Sequence, residues 1–84
     1  MTKIVLVGQL KEILGKEFLE LNGNRLSEIL RKLSPAVQDV LDIDGKPSGK
    51  YIFLLNGVDS FVYGDDPEIK EEDTITIIPI SHGG

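Results

Sequence analysis

The sequence holds no cysteine. A disulfide framework, a thiolate metal site and a nucleophilic thiol are therefore excluded, and any sulfur chemistry involving this chain must use a group other than a side chain. Histidine is nearly missing too: His82 stands alone, two residues from the end of the sequence, too close to a terminus to be held in catalytic geometry. A nucleophile with a base oriented beside it, or a metal with three or four ligands, cannot be assembled from what remains. The phosphate cradle G-x-x-x-x-G-K-[ST] has no match, and no helix is expected after Gly45-Lys46-Pro47. Asp65, Asp66, Glu68, Glu71, Glu72 and Asp73 lack the alternating ligand positions of a calcium loop, so no metal is assigned to them. The sequence offers no enzyme site.

Basic charge is scarce as well. Nine Lys and Arg against fourteen Asp and Glu leave a net charge of −5, which repels nucleic-acid phosphates and argues against direct nucleic-acid binding. The acid is concentrated: residues 59–73 carry seven carboxylates and one lysine, Lys70. Such a stretch is either a solvated face or a surface for a basic partner. No apolar run approaches the roughly 20 residues of a membrane span. The opening MTKIVLVGQL has no small-residue cleavage site and reads as a first strand. A cytoplasmic protein with no membrane contact is the expectation. A chain of 84 residues buries only about 60–65% of its unfolded surface, enough for one core. We place a single domain at residues 1–80 and a flexible tail at 81–84.

KIVLV (residues 3–7) is β-branched and apolar, and KEFLEL (16–21) alternates, which predicts an antiparallel pair joined by a loop at 9–15, with Phe18 turned inwards along with Leu19 and Leu21. Asn24 is a candidate helix N-cap, with a helix from about Arg25. Leu26, Ile29, Leu30 and Leu33 then form one apolar stripe, Glu28 can pair with Lys32 on the wet side, and Pro35 stops the helix. Val37, Val40 and Leu41 predict a second short helical piece, and residues 42–50 a surface loop. YIFLL (51–55) and VDSFVY (58–63) read as strands joined by the turn Asn56-Gly57, and TITIIPI (74–80) as the last strand.

One helix cannot cover both faces of a four- or five-stranded sheet, so one face stays open. In the last strand Ile75 and Ile77 share one parity, and Thr74, Thr76, Ile78 and Ile80 the other, a half-polar set that suits the open face. In YIFLL both parities are apolar, so whichever set faces outward, Tyr51, Phe53 and Leu55 or Ile52 and Leu54, exposes a hydrophobic patch. Grouping Phe53 and Leu55 with Ile78 and Ile80 gives the expected partner-binding patch.

The sequence ends in SHGG. Glycine has no Cβ, so a Gly-Gly end can thread a narrow cleft in conformations other residues avoid and present its carboxylate to another protein. GQLKEILG after the first strand, a single helix, FLLNG, the acidic turn PEIKEED and then TITIIPISHGG together resemble the MoaD/ThiS sulfur-carrier family of the ubiquitin-like β-grasp fold. The likeness spans the whole chain, and SHGG is most similar to the branch called ubiquitin-related modifier. The resemblance implies an α+β fold with a mixed sheet and one main helix on one face, and a carrier rather than a catalyst. It implies that an E1-like enzyme, using ATP and Mg²⁺, adenylates the carboxylate of Gly84, after which a sulfur donor protein converts it to a thiocarboxylate. That sulfur would serve tRNA thiolation, or the carboxylate would be joined to lysines of target proteins. Gly83 must then be slim inside the adenylating cleft, and His82 and Ser81 belong to the guiding tail. The patch would dock the E1-like enzyme. Alternatives are the small subunit of molybdopterin synthase, partnered by a large subunit, and, in another class, a non-covalent β-grasp interaction domain.

Overall fold

In the computed structural model, which describes residues 1–80, five strands form one mixed sheet. They are β1 (Thr2–Leu6), β2 (Phe18–Leu21), β3 (Tyr51–Leu55), β4 (Val58–Asp59) and β5 (Thr74–Pro79), with helices α1 (Gln9–Leu14) and α2 (Leu26–Leu33). The spatial order is β2-β1-β5-β3-β4. The first and last strands run parallel at the centre, and every other pairing is antiparallel. No tight turn can place antiparallel ribbons on the two sides of such a parallel centre, so the chain between β2 and β3 must cross over, and it does so through α2. This is the α+β β-grasp architecture expected from the sequence.

The period-2 pattern of the strands meets the period-3.6 stripe of the helix on one side of the sheet. Ile4, Leu6, Phe53, Ile75 and Ile77 pack against Leu26, Ile29, Leu30 and Leu33, and Leu10, Val37, Val40 and Ile69 close the core's edges. Full burial of an aliphatic or aromatic side chain contributes about 1.5–3 kcal/mol. The core thus lies wholly on the α2 side.

Several local expectations give way to longer-range bonds. Residues 9–15 are not an open loop but the helix α1, closed by Gly15 in the left-handed region at φ 69°. Leu10 is buried, and the helix formers of QLKEIL win once that anchor is available. Asn24 does not cap α2. Instead the Ser27 N–H donates to Asp66 Oδ1 at 2.9 Å, the Ser27 hydroxyl donates to Asp66 Oδ2 at 2.7 Å, and the Leu26 N–H donates to the Pro67 carbonyl at 3.0 Å. A carboxylate 39 residues away does the capping. Glu28 accepts from the Asn24 N–H and Lys32 donates to the Asn22 carbonyl, so each of the expected ion-pair partners is bonded to backbone instead.

Ser34 ends α2 just before Pro35, as expected. The piece around Val37 and Val40 consists of turns rather than helix, though both side chains are buried. The Asn56-Gly57 turn has φ 51° and 85°, the positive pair that a type I′ hairpin needs. The strand expected at 58–63 is shorter: β4 has two residues, after which Asp59 accepts from the Phe61 N–H and starts a 3₁₀ helix, Ser60–Tyr63.

Candidate functional site

The uncovered face of the sheet is the first candidate. Register assigns its members, because residues directly opposite in a sheet share a face. Ile52 lies opposite Ile78 and Leu54 opposite Thr76, while Phe53 lies opposite Ile77 and Leu55 opposite Ile75. Phe53 and Leu55 are therefore core residues, 0% and 8% exposed, and do not belong to the patch the sequence predicted. Ile78 does face outwards, Ile80 lies just past the end of β5, and Ile52 and Leu54 take the places given to Phe53 and Leu55. Ile52 is 36% exposed and Ile80 39%.

On the other side of β5, Val5 is opposite Thr76, and Phe18 is opposite Val5. Phe18 accordingly points outwards, 52% exposed, with Lys3 Nζ 4.7 Å above its ring, whereas Leu19 and Leu21 pack on the core. A cation over an aromatic face stabilises modestly at an exposed site. The open face has a gradient. Its row at the start of β5 is Glu20, Lys3 and Thr74; the next is Phe18, Val5, Thr76 and Leu54; the last holds Ile78 and Ile52, with Ile80 beyond. The surface becomes more apolar toward the end of β5, and residue 81 continues from there.

A cleft of about 410 Å³ lies at that same end, between α1 and the turn at residues 37–39, with Leu10, Val37, Pro79 and Ile80 in its walls. Three bonds tie the turn and the ends of β3 and β5 into one wall. The Tyr51 hydroxyl donates to the Gln38 carbonyl at 2.6 Å, Lys50 Nζ lies 3.3 Å from Asp39 Oδ2, and the Ile80 N–H donates to the Lys50 carbonyl at 3.2 Å. Burial, and then the nearby Asp39 carboxylate, raise the pKa of the Tyr51 phenol, so it keeps its proton and remains a donor at neutral pH.

The acidic stretch is largely occupied with the fold. Asp66 caps α2, Asp73 accepts from Asn56 Nδ2 and from the Lys70 N–H, both at 2.8 Å, and Asp65 pairs with Lys46 at 2.8 Å. Among the described residues no cluster of three or more His, Cys, Asp or Glu side chains is placed to hold a metal ion. Among them, too, no helix is long and apolar enough to cross a membrane.

Ser81, His82, Gly83 and Gly84, the tail residues singled out in the sequence, lie outside the described residues. The sequence reading left Ile52 and Leu54 as the second choice of parity and missed the cleft. A signal for Leu54 existed: a two-residue Asn-Gly hairpin sets Leu54 opposite Asp59, and an aspartate belongs on the wet face.

Comparison with known proteins supplies the last observations. The family model described as ThiS family matches residues 4–84. Among solved structures, the chain is similar to Urm1 of Sulfolobus solfataricus, with 26% identity over 93% of this chain and 99% of that one and a TM-score of 0.77. It is similar to the small archaeal modifier protein 1 of Methanosarcina acetivorans, with 28% identity over 99% and 95% and a TM-score of 0.80. A chain of the Amycolatopsis orientalis BexX/CysO complex shares the fold, with 22% identity over 100% of both chains and a TM-score of 0.77. A search of curated proteins gives no match.

Proposed function

The chain belongs to the ThiS family of small ubiquitin-fold carriers and modifiers, and from that premise we propose that its working group is the carboxylate of Gly84. In this reading a cytoplasmic E1-like enzyme binds the protein by its open face and draws the tail into an adenylating site. A carboxylate oxygen of Gly84 attacks the α-phosphorus of Mg²⁺-bound ATP, forming the acyl adenylate and releasing pyrophosphate. A carboxylate is a poor acyl donor and AMP a good leaving group, which is why activation must come first. The outer sulfur of a donor protein's persulfide then attacks the acyl carbon and AMP departs, and a thiol reductant attacks the donor's sulfur in the resulting acyl disulfide, so that the S–S bond breaks, the donor leaves as a mixed disulfide and Gly84 carries a thiocarboxylate for tRNA thiolation. Attack by a lysine amine of a target protein instead gives an isopeptide.

The single observation that carries the reading is the family match continuing through Gly84. Two features of the chain support it. The absence of cysteine means that the carrier cannot trap its own cargo as a disulfide, and the open face grows apolar toward the end that leads into the tail. The likeness to Urm1 and to an archaeal modifier protein favours the modifier branch over a molybdopterin synthase subunit.

The test is truncation. Removing Gly83 and Gly84 should abolish ATP-dependent adenylation by the cognate E1-like enzyme while the circular dichroism spectrum and melting temperature stay as in the full chain. Undiminished pyrophosphate exchange with the truncated protein would refute the reading.

A further inference from the structure

Resting on Gly84 as the activated group, we infer that the cleft between α1 and the turn at residues 37–39 is a second docking element for the activating enzyme, seating one of its apolar side chains against Ile13. The open face alone is the expected contact; this site lies around the sheet's end, on the side that carries α1.

Reach sets the location. Four residues separate Ile80 from the Gly84 carboxylate, and an extended chain spans at most about 3.3–3.6 Å per residue, roughly 14 Å in all. The smallest extent of the molecule is 23 Å. An enzyme that acts on Gly84 must therefore bring its catalytic cleft over this end of the molecule and nowhere else. A specific interface covers about 800 Å² on each partner, so a contact centred near Ile80 extends over the walls of a cleft that Ile80 itself lines.

The chemistry of the cleft sets what it receives. Leu10, Val37 and Pro79 give it an apolar floor, and Ile13 stands on its rim at 59% exposure. A large aliphatic side chain left that exposed, five residues before β2 begins at Phe18, contributes little to the fold. The rim's charges, Asp39 and Lys50, already neutralise each other, so an apolar side chain can enter without stranding an unpaired charge. Gln9 and Gln38 at the mouth can bond to the polar backbone on either side of that side chain. The wall built from the turn and the ends of β3 and β5 is tied by three bonds, so little of it has to be ordered on binding. A second copy of this chain is a poor occupant, because the net charge of −5 makes two copies repel.

Steady-state adenylation by the cognate E1-like enzyme, with the carrier as varied substrate, separates the outcomes. Ile13→Asp should raise the KM for the carrier by about tenfold or more, as loss of an anchored interface contact does, with kcat within about twofold and the melting temperature unchanged. Ile13→Leu should restore the wild-type KM. Val62→Asp, at the far edge of the sheet beyond β4, should leave both constants alone. A KM for Ile13→Asp equal to that of wild type overturns the inference while leaving the Gly84 reading intact. So does a dimer, seen by sedimentation, that the substitution dissolves. Wild-type protein that is never adenylated overturns the inference together with the reading it rests on.

Discussion

The two faces of one strand, β3, show how the molecule divides its work. Phe53 and Leu55 point toward α2 and are buried, while Ile52 and Leu54, equally apolar, point the other way and remain partly in water. Hydrophobicity alone does not distinguish them. What does is the partner across the sheet: Ile77 and Ile75 beneath the helix, Ile78 and Thr76 on the open side. The covered face uses its apolar surface to hold the fold, and under the proposed function the open face keeps its own for the activating enzyme. A small domain that must be gripped by an enzyme benefits from this separation, because binding residues can be lost without loss of structure.

Substituting both faces of β3 is the most forceful way to break the comparison. Phe53→Ala should cost about 3–5 kcal/mol in urea unfolding, the range for removing a buried aromatic, a large fraction of what a domain of this size possesses. Ile52→Thr keeps a β-branched strand former and should cost under about 1 kcal/mol, yet it should weaken binding to the activating enzyme about tenfold. Equal stability losses at the two positions would erase the distinction drawn between the faces.

The smallest effect sharpens the picture of the acidic stretch as structure. The Lys46 ammonium, hydrogen-bonded to Asp65, lowers the pKa of that carboxyl below its ordinary 3.8, and Asp65 in turn raises the Lys46 pKa above 10.5. For Asp65 the folded-state value is the depressed one, so the stabilisation is present above pH 3.8 and is lost as pH falls through the lower folded value. For Lys46 it is present below pH 10.5 and lost as pH rises through the raised folded value. Both side chains are exposed, at 48% and 66%, so solvent screens the pair. Asp65→Asn should therefore lower the melting temperature only slightly at pH 7, and the difference should vanish at acid pH and in about 1 M salt, where the Debye length is near 3 Å.

Much of this was legible because it is local. The stripe Leu26, Ile29, Leu30, Leu33 and the parity of Ile75 and Ile77 repeat at spacings that only one secondary structure puts on one side. Asn56-Gly57 announces its own turn. The short helix α1 was also written locally, in Leu10, Ile13 and Leu14 followed by Gly15, but six residues give a weak period. By contrast, the orientation of YIFLL depends on register with a strand that begins 19 residues after Leu55, at Thr74, since both its parities are apolar, and period alone cannot choose. Capping of α2 by Asp66 is likewise beyond local reading, because nothing near Ser27 points to a carboxylate 39 positions on. The open face was misread because its membership depends on which residues the sheet sets opposite one another, whereas Gly83 and Gly84, singled out by composition, lie outside the described residues.

The most direct test of the central claim is the intact mass of the protein purified, without reducing agent, from the cells that make it. A fraction carrying one oxygen-to-sulfur exchange, mapped by fragmentation to Gly84, or a peptide in which the Gly84 carboxyl is joined to a lysine amine, is the predicted result. Protein whose Gly84 bears only a free, unmodified carboxylate, even when the cognate activating enzyme and sulfur donor are present, would contradict it.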